Sequence, residues 1–115
     1  PLINYSRHIY TSITNAWFSV LEKLTGHGVG NKVHEDPHVY NTPHPSMKNV
    51  ILESGMVLAL EPITAITSKD FDPKPGNDWN LYCKDGDLGA QWEYTVLITE
   101  NGCEVLSGIT ENLWF

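Results

Sequence analysis

The 115-residue sequence predicts an α+β fold in which one helix precedes an antiparallel sheet. Residues 3–14 place apolar side chains at a roughly helical spacing. The remainder of the chain carries short apolar runs bounded by glycine, proline and asparagine, which is typical of strands. Asn101-Gly102 separates two such runs and is a strong signal for a tight hairpin. The length predicts a single domain over residues 1–115.

The first part of the chain predicts the helix, a short element and a long extended segment. The helix is expected to end near Asn15, and residues 17–21 favour a strand or a last helical turn. Three glycines within residues 26–30 exclude a helix, because each costs about 1 kcal/mol there relative to alanine. Residues 28–39 are therefore expected to be extended. Residues 37–45 carry three prolines and are expected to form a loop.

The second part of the chain predicts strands joined by turns. Its expected strands are residues 56–63, 79–83, 91–99 and 103–106. Length and the flanking Gly55 and Pro62 favour a buried strand over a helix for the first of them. Residues 68–78 form a polar connection, and Asp85-Gly86 forms a turn.

Charge and composition exclude several classes of partner. Asp and Glu outnumber Lys and Arg fourteen to seven, so the net charge is −7 and no basic face is available for nucleic acid or an anionic membrane. No apolar run approaches the roughly 20 residues of a membrane span, and no signal peptide is recognisable. Cys83 and Cys103 have no zinc-binding spacing and are expected to be reduced thiols. We therefore expect a cytoplasmic protein without nucleic-acid or membrane partners.

One motif within residues 24–37 matches a metal-binding pattern by letter. His34-Glu35-Asp36-Pro37-His38 fits HExxH, in which a helix presents both histidines on one face. Pro37 lies between the two histidines, and a proline inside a helix costs about 3 kcal/mol. The sequence therefore predicts that these residues do not form a zinc-binding helix.

The glycines of the same stretch suggest a phosphate-binding loop. Gly26, Gly28 and Gly30 recur at every second residue. Neither the Rossmann nor the Walker motif has that spacing, and no predicted helix follows to direct its N-terminus at an anion. A phosphate site is not expected.

A third interpretation combines His27 with two distant carboxylates. Glu61 ends an apolar run and Glu93 lies within another, and carboxylates are rarely buried unless they are paired or bind a metal. One imidazole and two carboxylates suit Mn, Fe, Co or Zn. Spacing alone equally allows both glutamates to face solvent, with His27 in a loop.

Four blocks of sequence bear on this choice. They are residues 24–30 (LTGHGVG), 33–37 (VHEDP), 55–62 (GMVLALEP) and 91–96 (QWEYTV). In this order and at about this spacing they closely resemble type I methionine aminopeptidases, and the resemblance extends over about residues 15–107. It implies the pita-bread fold, of which this chain would be the C-terminal half, with a curved antiparallel sheet and few helices.

The resemblance also implies a set of site residues. His27, Glu61 and Glu93 match metal ligands of the family, which binds two divalent ions (Co, Mn, Fe or Zn) in a complete site. Glu61 would also be catalytic, as a proton shuttle. His34 matches the histidine that contacts the scissile peptide and stabilises its tetrahedral intermediate. Val33 and Trp79 match the apolar wall of the methionine pocket.

Two departures from the family pattern qualify the implied activity, the removal of N-terminal methionine from nascent peptides. The two Asp ligands and a further histidine of the family's N-terminal half have no counterpart here, and Tyr94 stands where the family usually has histidine. We therefore expect the isolated chain to be incomplete and inactive, with a separate N-terminal half as one potential partner. A non-catalytic or split pita-bread subunit, acting as a binding module, and an Xaa-Pro peptidase of the same fold remain alternatives.

Overall fold

The computed structural model describes residues 1–107, apart from the side chains of Asp78 and Trp79. The helix is α1 (Ile3–Asn15), and 3₁₀ turns lie at Pro45–Asn49 and Lys84–Gly86. The strands are β1 (Ser19–Val20), β2 (Thr25–Val29), β3 (Glu35–Tyr40), β4 (Val57–Leu60), β5 (Ile63–Ala65), β6 (Phe71–Lys74), β7 (Asn77–Cys83), β8 (Gly89–Gln91), β9 (Tyr94–Thr99) and β10 (Gly102–Val105).

The described strands form three antiparallel sheets. The largest has the order β10-β9-β4-β2-β3, the second has the order β1-β5-β8, and β6 pairs with β7. One helix followed by antiparallel sheets confirms the predicted α+β class. No helix among the described residues is long and apolar enough to cross a membrane.

A continuous antiparallel ribbon joins the two larger sheets. Strands β4 and β9 pair with Leu60 opposite Tyr94, and β5 and β8 pair with Ile63 opposite Gln91. Both pairings have the same register, so two chain segments leave one sheet and enter the next side by side. Between the pairings the ladder is interrupted, and only the backbone N–H of Trp92 donates across it, at 3.3 Å, to a carbonyl oxygen.

The hydrophobic core fixes α1 against the five-stranded sheet. Its fully buried side chains come from the helix, β3, β4 and the first 3₁₀ turn, and they are Leu2, Ile3, Val39, Met47 and Leu58. The hydroxyl of Ser6, which is buried among them, donates to the Tyr40 carbonyl at 2.6 Å. Burying a polar group requires such a partner. The helix thereby holds the end of β3 in place.

Two expected segments are wrong in the central hairpin. Residues 28–39 are not one extended segment, because β2 ends at Val29 and the chain reverses before β3 begins at Glu35. The expected loop at 37–45 is wrong at its start, since Pro37 belongs to β3. β3 is an edge strand, where the missing N–H of a proline is tolerated.

The expected polar connection at 68–78 is also wrong, because most of it forms the β6–β7 hairpin. Each of the expected strands 56–63 and 91–99 divides into two strands that belong to different sheets. Other expectations are confirmed: the helix ends at Asn15, Gly55 forms a turn at a φ of 97°, and β9 and β10 form the predicted hairpin. Both cysteines are free thiols.

Candidate metal centre

Three neighbouring strands of the five-stranded sheet bring the candidate ligands together. His27 lies in β2 opposite Ala59 of β4, Glu61 directly follows β4, and Glu93 directly precedes β9. One donor atom from each side chain lies within 4.8 Å of the other two. His27 is therefore a strand residue, and the structure gathers the three side chains that the sequence selected.

The glycines beside His27 allow neighbouring strands to approach it closely. A Cβ atom at Gly26 would collide with the carbonyl oxygen of Ala59, and one at Gly28 would collide with the carbonyl oxygen of Asp36. Only glycine fits such close backbone contacts without movement. These glycines belong to β2, so their role in the described structure is strand packing, and no phosphate-binding loop forms.

The imidazole of His27 is oriented by its own strand. Its Nδ1 lies 2.9 Å from the carbonyl oxygen of Gly28, and its Nε2 lies 3.4 Å from Oε1 of Glu61. A neutral imidazole that donates from Nδ1 to a carbonyl keeps the lone pair of Nε2 free for a metal. The geometry thus directs Nε2 toward the carboxylates.

Glu61 and Glu93 form a like-charge pair. The register of the ribbon continues through its interruption and places Glu61 opposite Glu93. Like charges directly opposite on paired strands destabilise a sheet. Among the described residues neither carboxylate forms an ion pair with lysine or arginine, and the observed pairs of this kind lie elsewhere.

The electrostatic cost of this arrangement appears in Glu61. Its side chain is 14% exposed. Burial raises the pKa of its carboxyl group, and the negative charge of Glu93 raises it further, whereas the two nearby histidines and the amide of Gln91 act in the opposite direction. A cation between the two carboxylates would offset both burial and repulsion.

The donor set fits a divalent metal ion. Imidazole nitrogen and carboxylate oxygen suit Mn, Fe, Co and Zn. An ion about 2.0–2.2 Å from each donor holds two donors at most about 4.4 Å apart. The observed separations, all within 4.8 Å, therefore need only small side-chain movements to close on one ion.

Residues of the turn between β2 and β3 line the same cleft, whose volume is about 400 Å³. The ring of His34 lies 4.2 Å from that of His27, centroid to centroid, and its side chain is exposed. Val33 is 72% exposed and also borders the cleft. The backbone of Trp79 belongs to β7, but its side chain, expected in the methionine pocket, lies outside the described residues.

The HExxH-like residues form no helix, as predicted. Glu35 begins β3, and its carboxylate accepts a hydrogen bond from the backbone N–H of Lys32 at 2.7 Å. A Cβ atom at Gly30 would collide with this carboxylate. Glu35 therefore stabilises the turn that carries His34. His38, expected in a loop, is an exposed residue of β3.

Sequence reasoning missed two amides that hold Glu61. Gln91 donates from Nε2 to Glu61 Oε2 at 2.9 Å, and Asn41 donates from Nδ2 to the backbone carbonyl of Glu61 at 3.0 Å. The Tyr5 hydroxyl donates to Oδ1 of Asn41 at 3.4 Å, and burial, followed by the charge of Glu61, raises the pKa of Tyr5 to about 12. Gln91 could have been found from its position two residues before Glu93, which places both on one side of an extended chain. No sequence signal marks Asn41.

An imidazole and two carboxylates collected on an antiparallel sheet define a class of protein that binds a divalent metal. The chain belongs to metallopeptidase family M24, which it matches over residues 4–100.

Relatives and solved structures narrow the comparison. The chain is 41% identical over 108 residues to a methionine aminopeptidase of Buchnera aphidicola from Schizaphis graminum, covering 93% of this chain and 40% of the relative. It is 38% identical over 110 residues to methionine aminopeptidase 1 of Bacillus subtilis, covering 94% and 43%. The methionine aminopeptidase structure from Thermotoga maritima superposes with a TM-score of 0.86 at 36% identity, covering 94% of this chain and 43% of that one.

These matches confirm the resemblance to methionine aminopeptidases and the pita-bread fold. A structure from Rickettsia prowazekii agrees, with a TM-score of 0.83 at 27% identity over 90% of this chain and 42% of that one. The chain spans about two fifths of the length of these relatives. One helix with antiparallel sheets is the architecture expected of the C-terminal half.

Proposed function

We propose that this chain is the C-terminal portion of a metal-dependent aminopeptidase that removes the N-terminal methionine from nascent peptides. The observation that carries the proposal is the placement of Glu61 opposite Glu93, with Nε2 of His27 beside them. Membership of family M24 and the names of the relatives favour a methionine aminopeptidase over an Xaa-Pro peptidase.

His27, Glu61 and Glu93 would hold divalent ions, two in a complete site and drawn from Co, Mn, Fe and Zn. Such ions, when bound, polarise a carbonyl group and make a bound water acidic enough to attack it. The family resemblance implies two further aspartate ligands, which would come from outside the described residues.

Other side chains of the cleft have roles that follow from their positions. His34 lies exposed beside His27 and would donate a hydrogen bond to the substrate oxygen as negative charge develops there. Glu61 would accept the proton of the attacking water and return it to the leaving amine. Val33 would contact the methionine side chain from the rim of the cleft, together with Trp79.

The isolated chain is expected to be inactive, because it supplies three of the five ligands that the family resemblance implies. The purified chain, incubated with cobalt or manganese and the tripeptide Met-Ala-Ser, should release no methionine above a metal-only control. Sustained turnover would contradict this expectation.

Metal binding tests the site without requiring activity. Cobalt titration of the chain should show saturable binding that is lost in His27→Ala. His38→Ala is the matched control, since His38 is an exposed histidine of the neighbouring strand and should leave binding unchanged. If the unsubstituted chain binds no cobalt, the proposal fails and a non-catalytic pita-bread module becomes the better description.

A further inference from the structure

Gln91, the only glutamine in the sequence, lies where the ribbon passes from one sheet to the other. It is the last residue of β8, and its backbone is held opposite Ile63 of β5. Its side chain turns toward the metal centre and donates from Nε2 to Oε2 of Glu61 at 2.9 Å. Strand pairing therefore fixes the backbone from which this donor projects.

The two carboxylate oxygens of Glu61 have different partners. Oε2 accepts from Gln91, whereas Oε1 faces Nε2 of His27 at 3.4 Å. The backbone of Glu61 is held separately by the amide of Asn41, a residue with 2% of its surface exposed. The side chain is thus restrained at both ends, and one oxygen is left to face the centre.

We propose that Gln91 is a positioning residue that holds Glu61 with Oε1 directed at the metal, so that Glu61 binds through one oxygen. This inference rests on the metal site proposed above and goes beyond it, because it assigns the donor that orients this ligand.

The chemistry of an amide suits this position. A neutral N–H donor orients a carboxylate and leaves its negative charge available to a cation. A lysine would neutralise that charge and compete with the metal, and a glutamate would add a third negative group facing the first two. Partners that orient metal ligands typically contribute about 10–100-fold in metal affinity.

Cobalt titration of Gln91→Met tests the proposal, because methionine keeps the length of the side chain and removes the donor. We expect cobalt affinity to fall by about 10-fold or more. We also expect the visible absorption spectrum of the cobalt-bound chain to change, because the released Oε2 becomes free to bind. Gln91→Ala removes the same donor and should give the same loss.

Thr64→Ala is the matched control. The hydroxyl of Thr64 donates to the Ala90 carbonyl at 3.2 Å, so it joins the same two strands without touching Glu61. Its removal should leave affinity and spectrum unchanged. Circular dichroism before titration should show the same metal-free fold in all variants, since Gln91 is an exposed residue.

Three results would overturn the proposal. The first is an affinity of either Gln91 variant within about twofold of the unsubstituted chain, with the same spectrum. The second is an equal loss in Thr64→Ala, which would attribute the effect to strand pairing. The third is the absence of cobalt binding in the unsubstituted chain, which would also remove the proposed function. The first two results leave that function intact.

Discussion

Carboxylates occupy two regions of this molecule under opposite conditions. Beside the smaller sheets, Asp70 accepts hydrogen bonds from Lys23 at 2.7 Å and Lys84 at 3.3 Å. Asp87 accepts backbone N–H groups of Thr67 and Ser68, each at 2.7 Å. The side-chain hydrogen bonds of the lysines lower the pKa of Asp70, and the backbone hydrogen bonds lower the pKa of Asp87.

At the candidate metal centre the conditions are reversed. Burial and the charge of Glu93 raise the pKa of Glu61, and its donors are an amide and imidazoles. A carboxylate surrounded by backbone N–H groups or lysines stabilises the fold as it stands. Two facing carboxylates without such partners stabilise it only when a cation is added, and this difference separates structural acids from candidate ligands.

The largest expected effect sharpens this contrast at Glu61. Glu61→Gln should weaken cobalt binding by more than about 100-fold, since loss of a ligand exceeds the cost of losing its orienting partner. Isothermal titration with cobalt measures it. Asp70→Asn, which alters a carboxylate of the other region, serves as the control and should bind as the unsubstituted chain does. Retained affinity in Glu61→Gln would remove Glu61 from the ligand set.

The second prediction concerns the support of the centre. Asn41→Ala should lower the free energy of unfolding by about 1–3 kcal/mol, because a buried carbonyl of Glu61 and the Tyr5 hydroxyl lose their partner. Urea denaturation measures the loss. Asn4→Ala, in the exposed first turn of α1, is the control, and an equal effect there would show that the Asn41 amide is unimportant.

The third prediction inverts the usual effect of removing a charge. Glu93→Gln should raise the stability of the metal-free chain by up to about 1 kcal/mol, because it relieves the like-charge pair with Glu61. In saturating cobalt the same change should lose this advantage. Thermal unfolding with and without the metal compares the two conditions. A destabilised metal-free variant would show that the pair does not repel.

The smallest expected effect lies in the other region and depends on pH. Because the folded pKa of Asp87 lies below its ordinary value of 3.8, its ionised form stabilises the folded state above that pH. This contribution is lost as pH falls from about 4 through the lower folded pKa. Asp87→Asn should therefore be slightly less stable at neutral pH and show a flatter acid dependence, measured by melting temperature. An unchanged acid profile would contradict the role of its backbone hydrogen bonds.

Local chemistry made part of the fold predictable. The spacing of residues 3–14, the Asn101-Gly102 turn and the proline that excludes an HExxH helix all act within a few residues, and the structure agrees with each. Expectations failed where pairing overrode local preference. Pro37 was assigned to a loop, but its edge position in β3 removes the penalty that a central strand would impose.

The sequence by itself determined which residue types are available: an imidazole flanked by glycines and two carboxylates within apolar runs. Only the tertiary structure decided that they meet, because the shared register of the β4–β9 and β5–β8 pairings sets Glu61 opposite Glu93. Gln91 and Asn41 became recognisable in the same way, through contacts 30 and 20 residues away along the chain. Propensity is a property of neighbouring residues, whereas strand register is set by the packing of distant segments and cannot be read from either segment alone.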